Sequence, residues 1–332
     1  MTGISGIFTR AITSIKTLPP VCGYLNNSVL FGAVRNFSVE TSKNMKFVQF
    51  THNDCPCDVR VGYLVEDKIV DLNKADPTLP TTLLGLLKDN AIEKAKKIQP
   101  SDSNTLSLCS VNLRAPIHGM DKILCIGLNY KDHCSEQNLT PPEVPIIFSK
   151  FSSTIIGPGD AIKLRDSTKK VDWEVELTVV IGKVASNVKA ADAYNYVLGY
   201  TVAQDISARD WQKAKNGGQF LLGKSMDTFC PIGPCITTHD EIGDPEALTI
   251  QCSLNGEQKQ CSKTDQLIHK IPKVIERLSS VMTLLPGDII LTGTPGGVGM
   301  YRNPPEYLKP GDVICSAIEK IGVLENKVEK FQ

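Results

Sequence analysis

Short apolar runs bounded by turn residues divide most of this chain into predicted strands. They lie at residues 46–50, 60–65, 69–72, 123–127, 171–181, 197–203, 248–254, 288–292 and 313–318. Apolar residues at helical spacing predict helices at roughly 82–97 and 264–282. A capping-box sequence predicts a third helix from Ser207 to Asn216. Few helices among many irregularly spaced strands predict a strand-rich α+β fold rather than a repeated βαβ unit.

Polar, turn-prone residues at 101–106 separate two parts of the chain. The part before them holds short strands and one helical stretch, whereas the part after them holds most of the predicted strands. We therefore expect a small N-terminal subdomain at 45–115 and a main domain at 120–330, which carries the candidate chemistry described below.

The predicted strand at 171–181 carries acidic residues on one face. Because side chains alternate along a strand, Asp172, Glu174 and Glu176 share that face. The same face becomes apolar at Val180, which predicts that the strand is buried on both sides. Carboxylates that lie side by side near a core repel one another and lose hydration. They must therefore be partly protonated, paired with cations or bound to a metal.

A third carboxylate, Asp205, stands at the end of the apolar strand at 197–203. Its position alone equally fits a role in a turn or a helix cap. Together with Glu174 and Glu176, however, it makes a set of three carboxylates at strand ends. Such an oxygen-only set suits Mg²⁺, Mn²⁺ or Ca²⁺ better than zinc, and it leaves about half of an octahedron open for substrate and water.

Composition narrows the class of protein. The 332 residues include 36 basic and 36 acidic side chains, so the chain has no net charge and gives no support to nucleic-acid or membrane-surface binding. No apolar run approaches the ~20 residues of a membrane span. The 11 cysteines are an odd number spread along a long chain, which argues for a reducing compartment such as the mitochondrial matrix.

The first 37 residues differ from the rest of the chain. They contain Arg10, Lys16 and Arg35 but no acidic residue, and they are rich in serine, threonine and asparagine. This composition is typical of a mitochondrial transit peptide, and we predict one at residues 1–37. A polar tail without a targeting role is the alternative interpretation.

Five blocks of the chain, taken in order and spacing, resemble one known family. They read IGLNYKDH at 126–133, DWEVEL at 172–177, DISARDWQ at 205–212, LGKS at 222–225 and LTGTPGGVG at 291–299. From residue 45 to the C-terminus the chain resembles the fumarylacetoacetate hydrolase superfamily, and within it the domain-containing protein 2 group. The resemblance implies a mixed β-sandwich roll with a few flanking helices, commonly assembled as a homodimer.

The resemblance also implies a divalent metal, usually Mg²⁺, held by Glu174, Glu176 and Asp205. Family substrates resemble acylpyruvates and oxaloacetate, small 2-oxo acids that chelate a metal through carboxylate and keto oxygens. The cation then acts as a Lewis acid and stabilises an enolate.

Three further residues are expected to carry the chemistry. His133 and Glu136 lie three apart, a spacing that puts both on one face of a short helix. Taken alone, this pair equally describes a surface histidine with a charged neighbour. The resemblance implies a catalytic dyad on a lid, in which Glu136 orients His133 for proton transfer. It also implies that Lys224, which composition alone would place on the surface, anchors an oxyanion or carboxylate.

Substrate contacts are expected from Arg209, Gln212 and Thr294. Gln212 matches a family position that places water or substrate, and Thr294 belongs to a loop that lines the site. Arg209 has two open roles, since it can bind the substrate carboxylate or pair with Asp210. The chain departs from the tyrosine-catabolic hydrolase at Asn129, where that enzyme has a further metal-binding aspartate, so hydrolysis of fumarylacetoacetate is not expected.

Three reactions are compatible with a metal-stabilised enolate. They are keto–enol tautomerisation of oxaloacetate, decarboxylation of oxaloacetate and hydrolysis of an acylpyruvate, and the motif residues serve all three. The group resemblance and the predicted mitochondrial address favour an oxaloacetate tautomerase, with hydrolase or decarboxylase as the alternative. A metal-stabilised binding protein without activity is the alternative from another class.

Overall fold

The computed structural model describes residues 45–332, and the predicted transit peptide at 1–37 lies outside the described residues. Strands dominate the fold. The strands are β1 (Lys46–His52), β2 (Cys55–Val65), β3 (Lys68–Asp71), β4 (Thr105–Ser107), β5 (Val111–Arg114), β6 (Ile123–Gly127), β7 (Ile146–Lys150), β8 (Ile155–Ile156), β9 (Ala161–Leu164), β10 (Val171–Asp172), β11 (Val175–Ile181), β12 (Val197–Gln204), β13 (Ser207–Ala208), β14 (Cys230–Thr238), β15 (Thr249–Leu254), β16 (Glu257–Lys263), β17 (Ile289–Leu291), β18 (Val313–Ile318) and β19 (Gly322–Lys330).

The helices are short. The α-helices are α1 (Leu72–Ala75), α2 (Leu83–Lys88), α3 (Ile92–Lys96), α4 (Lys131–Glu136), α5 (Leu221–Lys224), α6 (His239–Ile242) and α7 (Ile271–Ser279). A helical turn of π type at Trp211–Lys215 and several 3₁₀ turns complete the set. In the part of the chain that the structure describes, no helix is both long and apolar enough to cross a membrane.

A large, mixed sheet forms the body of the fold. Its strands run in the order β4-β3-β2-β1-β14-β12-β11-β17-β6-β7, while β5 pairs with β1 and β8 with β14. Most neighbours are antiparallel, but β17 and β6 are parallel. The middle strand β11 is buried at every residue, as the apolar run on both of its faces predicts.

A second sheet of five strands, in the order β16-β15-β18-β19-β9, packs against the large one. A contiguous core lies between them, where residues of β11 and β12 meet residues of β15, β18 and β19. Trp173 is the largest of its fully buried side chains. The strand-rich α+β fold predicted from the sequence is thereby confirmed.

The predicted strand at 171–181 is interrupted where its acidic residues lie. Strand β10 ends at Asp172, and β11 begins only at Val175. Between them, the backbone N–H of Glu174 donates to the Gln204 side chain at 2.9 Å, and that of Val175 donates to Gln260 at 3.0 Å. Side-chain amides thus satisfy these backbone groups in place of a neighbouring strand, and β10 pairs with β13.

The predicted helix start at Ser207 is wrong. Ser207 and Ala208 form β13, and the Ser207 hydroxyl donates to the backbone carbonyl of Asp205 at 2.8 Å instead of capping a helix. Helical geometry begins at Arg209. The long helices predicted at 82–97 and 264–282 are shorter than expected. The first is divided into α2 and α3 around Asn90, which has a positive φ of 52°. The second contains a 3₁₀ turn at Thr264–Gln266 and, separately, α7.

Residues 45–115 share the large sheet with the rest of the chain, because Lys46 and Phe47 of β1 pair with β14. This strand pairing places the N-terminal strands at one end of the sheet, while β11 and β12 hold the acidic residues nearer its middle. The division into a subdomain at 45–115 and a main domain at 120–330 stays a prediction.

Candidate active site

Three acidic side chains converge at one end of β11 and β12. Oxygen atoms of Glu174, Glu176 and Asp205 lie within 4.8 Å of one another, and all three residues are buried. The pairing of Val175 with Gln204 sets this geometry, because it continues into a backbone hydrogen bond of 2.8 Å from Asp205 N–H to the Glu174 carbonyl. Among the residues described, this is the one such group of three or more candidate ligands.

Buried cations surround the three carboxylates. The Lys224 ammonium lies 2.6 Å from an oxygen of Glu174 and 2.6 Å from one of Asp205. Lys150 binds the other oxygen of Asp205 at 2.6 Å, and Arg209 binds the other oxygen of Glu174 at 2.6 Å. Charge-assisted bonds of this length are strong and hold the carboxylates in fixed orientations.

Glu176 is the carboxylate without a cationic partner. The one hydrogen bond that it accepts in the described structure comes from the backbone N–H of Gly293 at 2.6 Å. Burial, followed by the charges of Asp205 and Glu174, raises the pKa of Glu176 well above its usual range. Burial opposes ionisation of Glu174 too, but Lys224 and Arg209 outweigh it and lower the pKa of Glu174.

This charge pattern fits a divalent cation. Three carboxylates form an oxygen-only donor set of the kind that Mg²⁺, Mn²⁺ and Ca²⁺ prefer. Lys224, Lys150 and Arg209 already balance Glu174, Asp205 and the neighbouring Asp172. Glu176 is left without a protein cation beside it, and a bound divalent cation would supply the positive charge that favours its ionised form.

Asp172 supports the site from behind. Its carboxylate accepts backbone hydrogen bonds from Gly299 at 2.7 Å and Met300 at 3.0 Å, and it pairs with Arg209 at 2.8 Å. Burial raises the pKa of Asp172, although the Arg209 guanidinium opposes that rise. Asp172 therefore fixes both the 299–301 turn and the guanidinium that contacts Glu174.

Of the two roles left open for Arg209 by the sequence, the pairing with Asp210 is wrong, whereas binding of a substrate carboxylate stays a prediction. Asp210 is bound by Lys215 and Thr168 instead. Arg209 joins Asp172 to Glu174 and donates through Nη1 to Gln212 at 3.0 Å. Its Nη2 is buried and has no hydrogen-bond partner in the described structure, so one donor remains for a ligand.

His133 and Glu136 lie on the short helix α4, as their spacing predicts. His133 Nδ1 lies 3.0 Å from Glu136 Oε2, and the histidine is buried. The second oxygen of Glu136 accepts the backbone N–H of Gly297 at 2.8 Å. Glu136 therefore orients the histidine and ties α4 to the glycine-rich loop after β17.

Gln212 and Thr294 are both buried and already hydrogen-bonded. Gln212 accepts from Arg209, as described above, whereas the Thr294 hydroxyl donates to the Val175 carbonyl at 3.0 Å. Thr294 also accepts from Gln260 at 2.8 Å. Thr294 thus holds the loop at 292–299 against the start of β11, and its predicted contact with substrate stays a prediction.

Asn129, the position that departs from the tyrosine-catabolic hydrolase, has a structural role. Its amide donates to the carbonyls of Thr292 at 2.7 Å and His269 at 3.1 Å, and its oxygen accepts the His269 N–H at 2.7 Å. These bonds engage both the donor and the acceptor end of the amide, so Asn129 joins its own loop to the segments at Thr292 and His269.

Sequence reasoning missed Lys150. It ends the apolar strand β7, where Ile146 and Phe148 share its face. A lone cation at the end of an apolar strand is a weak signal, since most lysines are exposed. Only the packing of β7 against the segment after β12 gives Lys150 its partner, Asp205.

The chain is similar in sequence to one protein family over most of its length. The family model described as "Fumarylacetoacetate (FAA) hydrolase C-terminal" matches residues 122–329. The mitochondrial oxaloacetate tautomerase of Xenopus laevis is 47% identical over 308 residues, which cover 92% of this chain and 96% of that protein. A mitochondrial oxaloacetate tautomerase of Homo sapiens is 48% identical over 262 residues, or 78% of this chain and 83% of that protein.

Solved structures have the same fold. A fumarylacetoacetate hydrolase from the psychrophile Exiguobacterium antarcticum is 33% identical, with a TM-score of 0.75 over 86% of this chain and 100% of that one. A 5-carboxymethyl-2-hydroxymuconate delta-isomerase from Mycobacterium smegmatis is also 33% identical, with a TM-score of 0.69 over 86% of this chain and 100% of that one.

Proposed function

This chain belongs to the fumarylacetoacetate hydrolase family, and from that premise we propose that it is a Mg²⁺-dependent oxaloacetate tautomerase that converts the enol form to the keto form. The observation that carries the proposal is the similarity to proteins named mitochondrial oxaloacetate tautomerases, which extends over 78% to 92% of the chain. The buried carboxylates with an adjacent His–Glu pair supply groups that such a reaction uses.

The three carboxylates Glu174, Glu176 and Asp205 would hold the metal. When bound, Mg²⁺ supplies Lewis-acid polarisation of the keto and carboxylate oxygens of a 2-oxo acid, and Mn²⁺ or Ca²⁺ has the same preference for oxygen ligands. Lys224 and Arg209 orient Glu174 through its two oxygens. The donor of Arg209 that has no protein partner is the group we assign to the substrate carboxylate.

Proton movement is the work of His133. In the enol-to-keto direction the histidine takes the proton of the enol hydroxyl, and the same proton is then delivered to the adjacent carbon. One O–H bond breaks and one C–H bond forms, so the isomerisation consumes no other reactant. Glu136, which is 3.0 Å from Nδ1, stabilises the histidine while it carries the extra proton.

The test mixes the purified full chain with Mg²⁺ and enol-oxaloacetate and follows enol absorbance and pyruvate separately. Fast enol loss without pyruvate supports the tautomerase. Pyruvate formed at the rate of enol loss indicates a decarboxylase and rejects the proposal. Cleavage of an acylpyruvate without enol turnover indicates a hydrolase, and inactivity towards both substrates indicates a metal-stabilised binding protein.

We propose the mitochondrial matrix as the location. The support comes from the acid-free composition of residues 1–37 and from relatives whose names include the word mitochondrial. Expression of the full chain fused to a fluorescent protein tests this, because deletion of residues 1–37 is expected to abolish import. Unchanged import of the shortened chain would contradict it.

We also propose a homodimer that forms at the edge strand β7. This strand lies at one end of the large sheet, so one of its backbone edges has no partner strand in the described structure. Large apolar side chains are exposed on and around it, at Leu139, Val144, Ile146, Ile147 and Phe151. An exposed apolar edge is a site of strand pairing or packing between chains. Light scattering is expected to give twice the monomer mass, and Ile147→Lys to give a monomer.

A further inference from the structure

Gln137 contacts the nitrogen of the candidate catalytic histidine that faces away from Glu136. Its amide nitrogen lies 2.9 Å from His133 Nε2 and 3.3 Å from the backbone carbonyl of the same histidine. Gln137 directly follows helix α4, and its side chain is half-buried. None of the roles assigned above uses this residue.

The two contacts of Gln137 determine where the imidazole proton is. A backbone carbonyl only accepts hydrogen bonds, so the amide atom beside it must be the NH₂ group, a donor. Because the same NH₂ group lies 2.9 Å from Nε2 and has a second hydrogen to donate, this ring nitrogen acts as the acceptor. His133 is then neutral, and its proton is on Nδ1.

The other side of the ring gives the same answer. Glu136 Oε2 lies 3.0 Å from Nδ1, and an ionised carboxylate accepts hydrogen bonds but cannot donate them. Nδ1 must therefore carry the proton. The contacts on both sides of the ring therefore indicate the same tautomer, with the proton on Nδ1. In this tautomer the lone pair of Nε2 is able to accept a proton from the substrate.

Gln137 also acts against the charged form of His133. Protonation of Nε2 would place its N–H against the NH₂ group, so that two donors would face each other without an acceptor. The titratable groups around the ring include Glu136 and Asp132 on its own helix, and Glu174, whose carboxylate interacts with it by charge. They also include Tyr301, whose ring centroid is 6.2 Å away and whose hydroxyl is bound by Lys213. Gln137 therefore presents a donor to Nε2, whereas Glu136 presents an acceptor to Nδ1.

We propose that Gln137 is a positioning residue that holds His133 as the neutral Nδ1–H tautomer until the enol hydroxyl replaces the amide at Nε2. This inference rests on the proposed function, because it names the group that prepares the base for that reaction. In the free enzyme the Gln137 amide would donate to Nε2 at the position that the enol hydroxyl takes in the complex. The amide would move away from Nε2 when the substrate binds. No atom of Gln137 enters the reaction.

The test uses the full chain with Mg²⁺, labelled with ¹⁵N in its histidine rings. The chain has five histidines, and comparison with His133→Gln assigns the His133 signals. In the wild type, we expect the shifts of a neutral ring with the proton on Nδ1. A ring with the proton on Nε2 would overturn the proposal, whatever the activity.

Two variants separate positioning from folding. Gln137→Met keeps the approximate volume but cannot donate, so the titration midpoint of His133 is expected to rise by about 0.5 to 1 pH unit, the equivalent of one lost hydrogen bond. Gln137→Glu replaces the donor with a carboxylate, which can accept a hydrogen bond from Nε2 when that nitrogen is protonated. This variant is therefore expected to raise the titration midpoint of His133 further. If Gln137→Met does not fold, Gln137→Asn, whose shorter side chain withdraws the donor, replaces it.

Activity provides the second measurement. The acidic limb of the kcat/KM profile for enol-oxaloacetate is expected to move upward in pH by the same amount as the midpoint seen by NMR. Gln99→Met, at an exposed position, is the matched control and should leave both unchanged. Unaltered midpoints in Gln137→Met and Gln137→Glu would overturn the proposal. An inactive enzyme that shows the expected tautomer and shifts would instead reject the proposed reaction alone.

Discussion

Lys150 and Asp205 form an ion pair in which both side chains are completely buried, with 2.6 Å between Nζ and Oδ1. Lys150 also donates to the backbone carbonyl of Ile206 at 3.1 Å. The lysine therefore fixes both the candidate metal ligand and the chain that follows it. Removal of the cation would leave one oxygen of Asp205 without its partner in a dry environment.

Lys150→Met is expected to reduce the free energy of unfolding by roughly 3–5 kcal/mol, the range for one broken half of a buried pair. Lys163→Met, at an exposed position on β9, is the control and should change stability by no more than about 0.5 kcal/mol. Urea titration of the metal-free protein measures both values. A loss below about 1 kcal/mol for Lys150→Met would mean that the pair is dispensable.

The variant Glu176→Gln tests the candidate metal centre through protein stability, so that no activity assay is needed. The amide oxygen still accepts the Gly293 N–H, but the variant lacks the carboxylate that has no cationic partner. The metal-free variant is expected to be at least as stable as the wild type, since a like-charge repulsion is removed. Mg²⁺ at about 100 times its dissociation constant should stabilise the wild type by roughly 2.7 kcal/mol but not the variant.

Thermal melting with Mg²⁺ and with a chelator checks this prediction. Glu329→Gln, at an exposed position on β19, is the matched control and should respond to Mg²⁺ as the wild type does. An equal response of Glu176→Gln would remove Glu176 from the ligand set. Restoration of the lower melting temperature by chelation is expected for the wild type and the control.

Arg209→Lys is expected to raise KM for oxaloacetate about 10- to 100-fold, the equivalent of one charge-assisted hydrogen bond. Lysine cannot reach Asp172 and Glu174 together and still present a third donor in the fixed geometry of a guanidinium. Steady-state kinetics measure KM and kcat. Arg165→Lys, at a more exposed ion pair with Asp227, should leave both constants unchanged. An unchanged KM in Arg209→Lys would exclude the guanidinium from substrate binding.

Acid sensitivity of the fold is expected from His239. Its ring is stacked on Tyr194 at 4.7 Å between centroids, and Nδ1 lies 2.9 Å from the Tyr200 hydroxyl. Burial lowers the pKa of His239 despite the nearby charge of Asp240. The unfolded state therefore binds more protons below about pH 6.5, and stability is lost as pH falls from there through the lower folded pKa.

Melting temperatures between about pH 7.5 and 5.5 measure this contribution. The wild type is expected to lose more stability over that interval than His239→Gln, which has no titrating ring. His118→Gln, at an exposed position, should follow the wild type. Parallel curves for the wild type and His239→Gln would contradict the prediction.

Local patterns determined much of the fold. The limits of β6 and β18 agree with the predicted strands at 123–127 and 313–318, because apolar runs bounded by turn residues are local signals. The predicted strand boundaries are wrong where side chains, instead of a neighbouring strand, bind the backbone. Gln204 and Gln260 interrupt the strand at 171–181, and neither contact can be recognised from sequence spacing.

The sequence by itself identified the acidic residues of the site, since strand alternation predicts a shared face for Asp172, Glu174 and Glu176, and Asp205 follows the next predicted strand. The tertiary structure then separated Asp172, which pairs with Arg209, from the other three. Only the tertiary structure decided how their charges are balanced. Lys150 is 55 residues from Asp205 in the chain, and only packing brings the two together. Short-range backbone geometry specifies a strand and its faces, whereas ion pairing depends on distances that exist only after distant segments have packed.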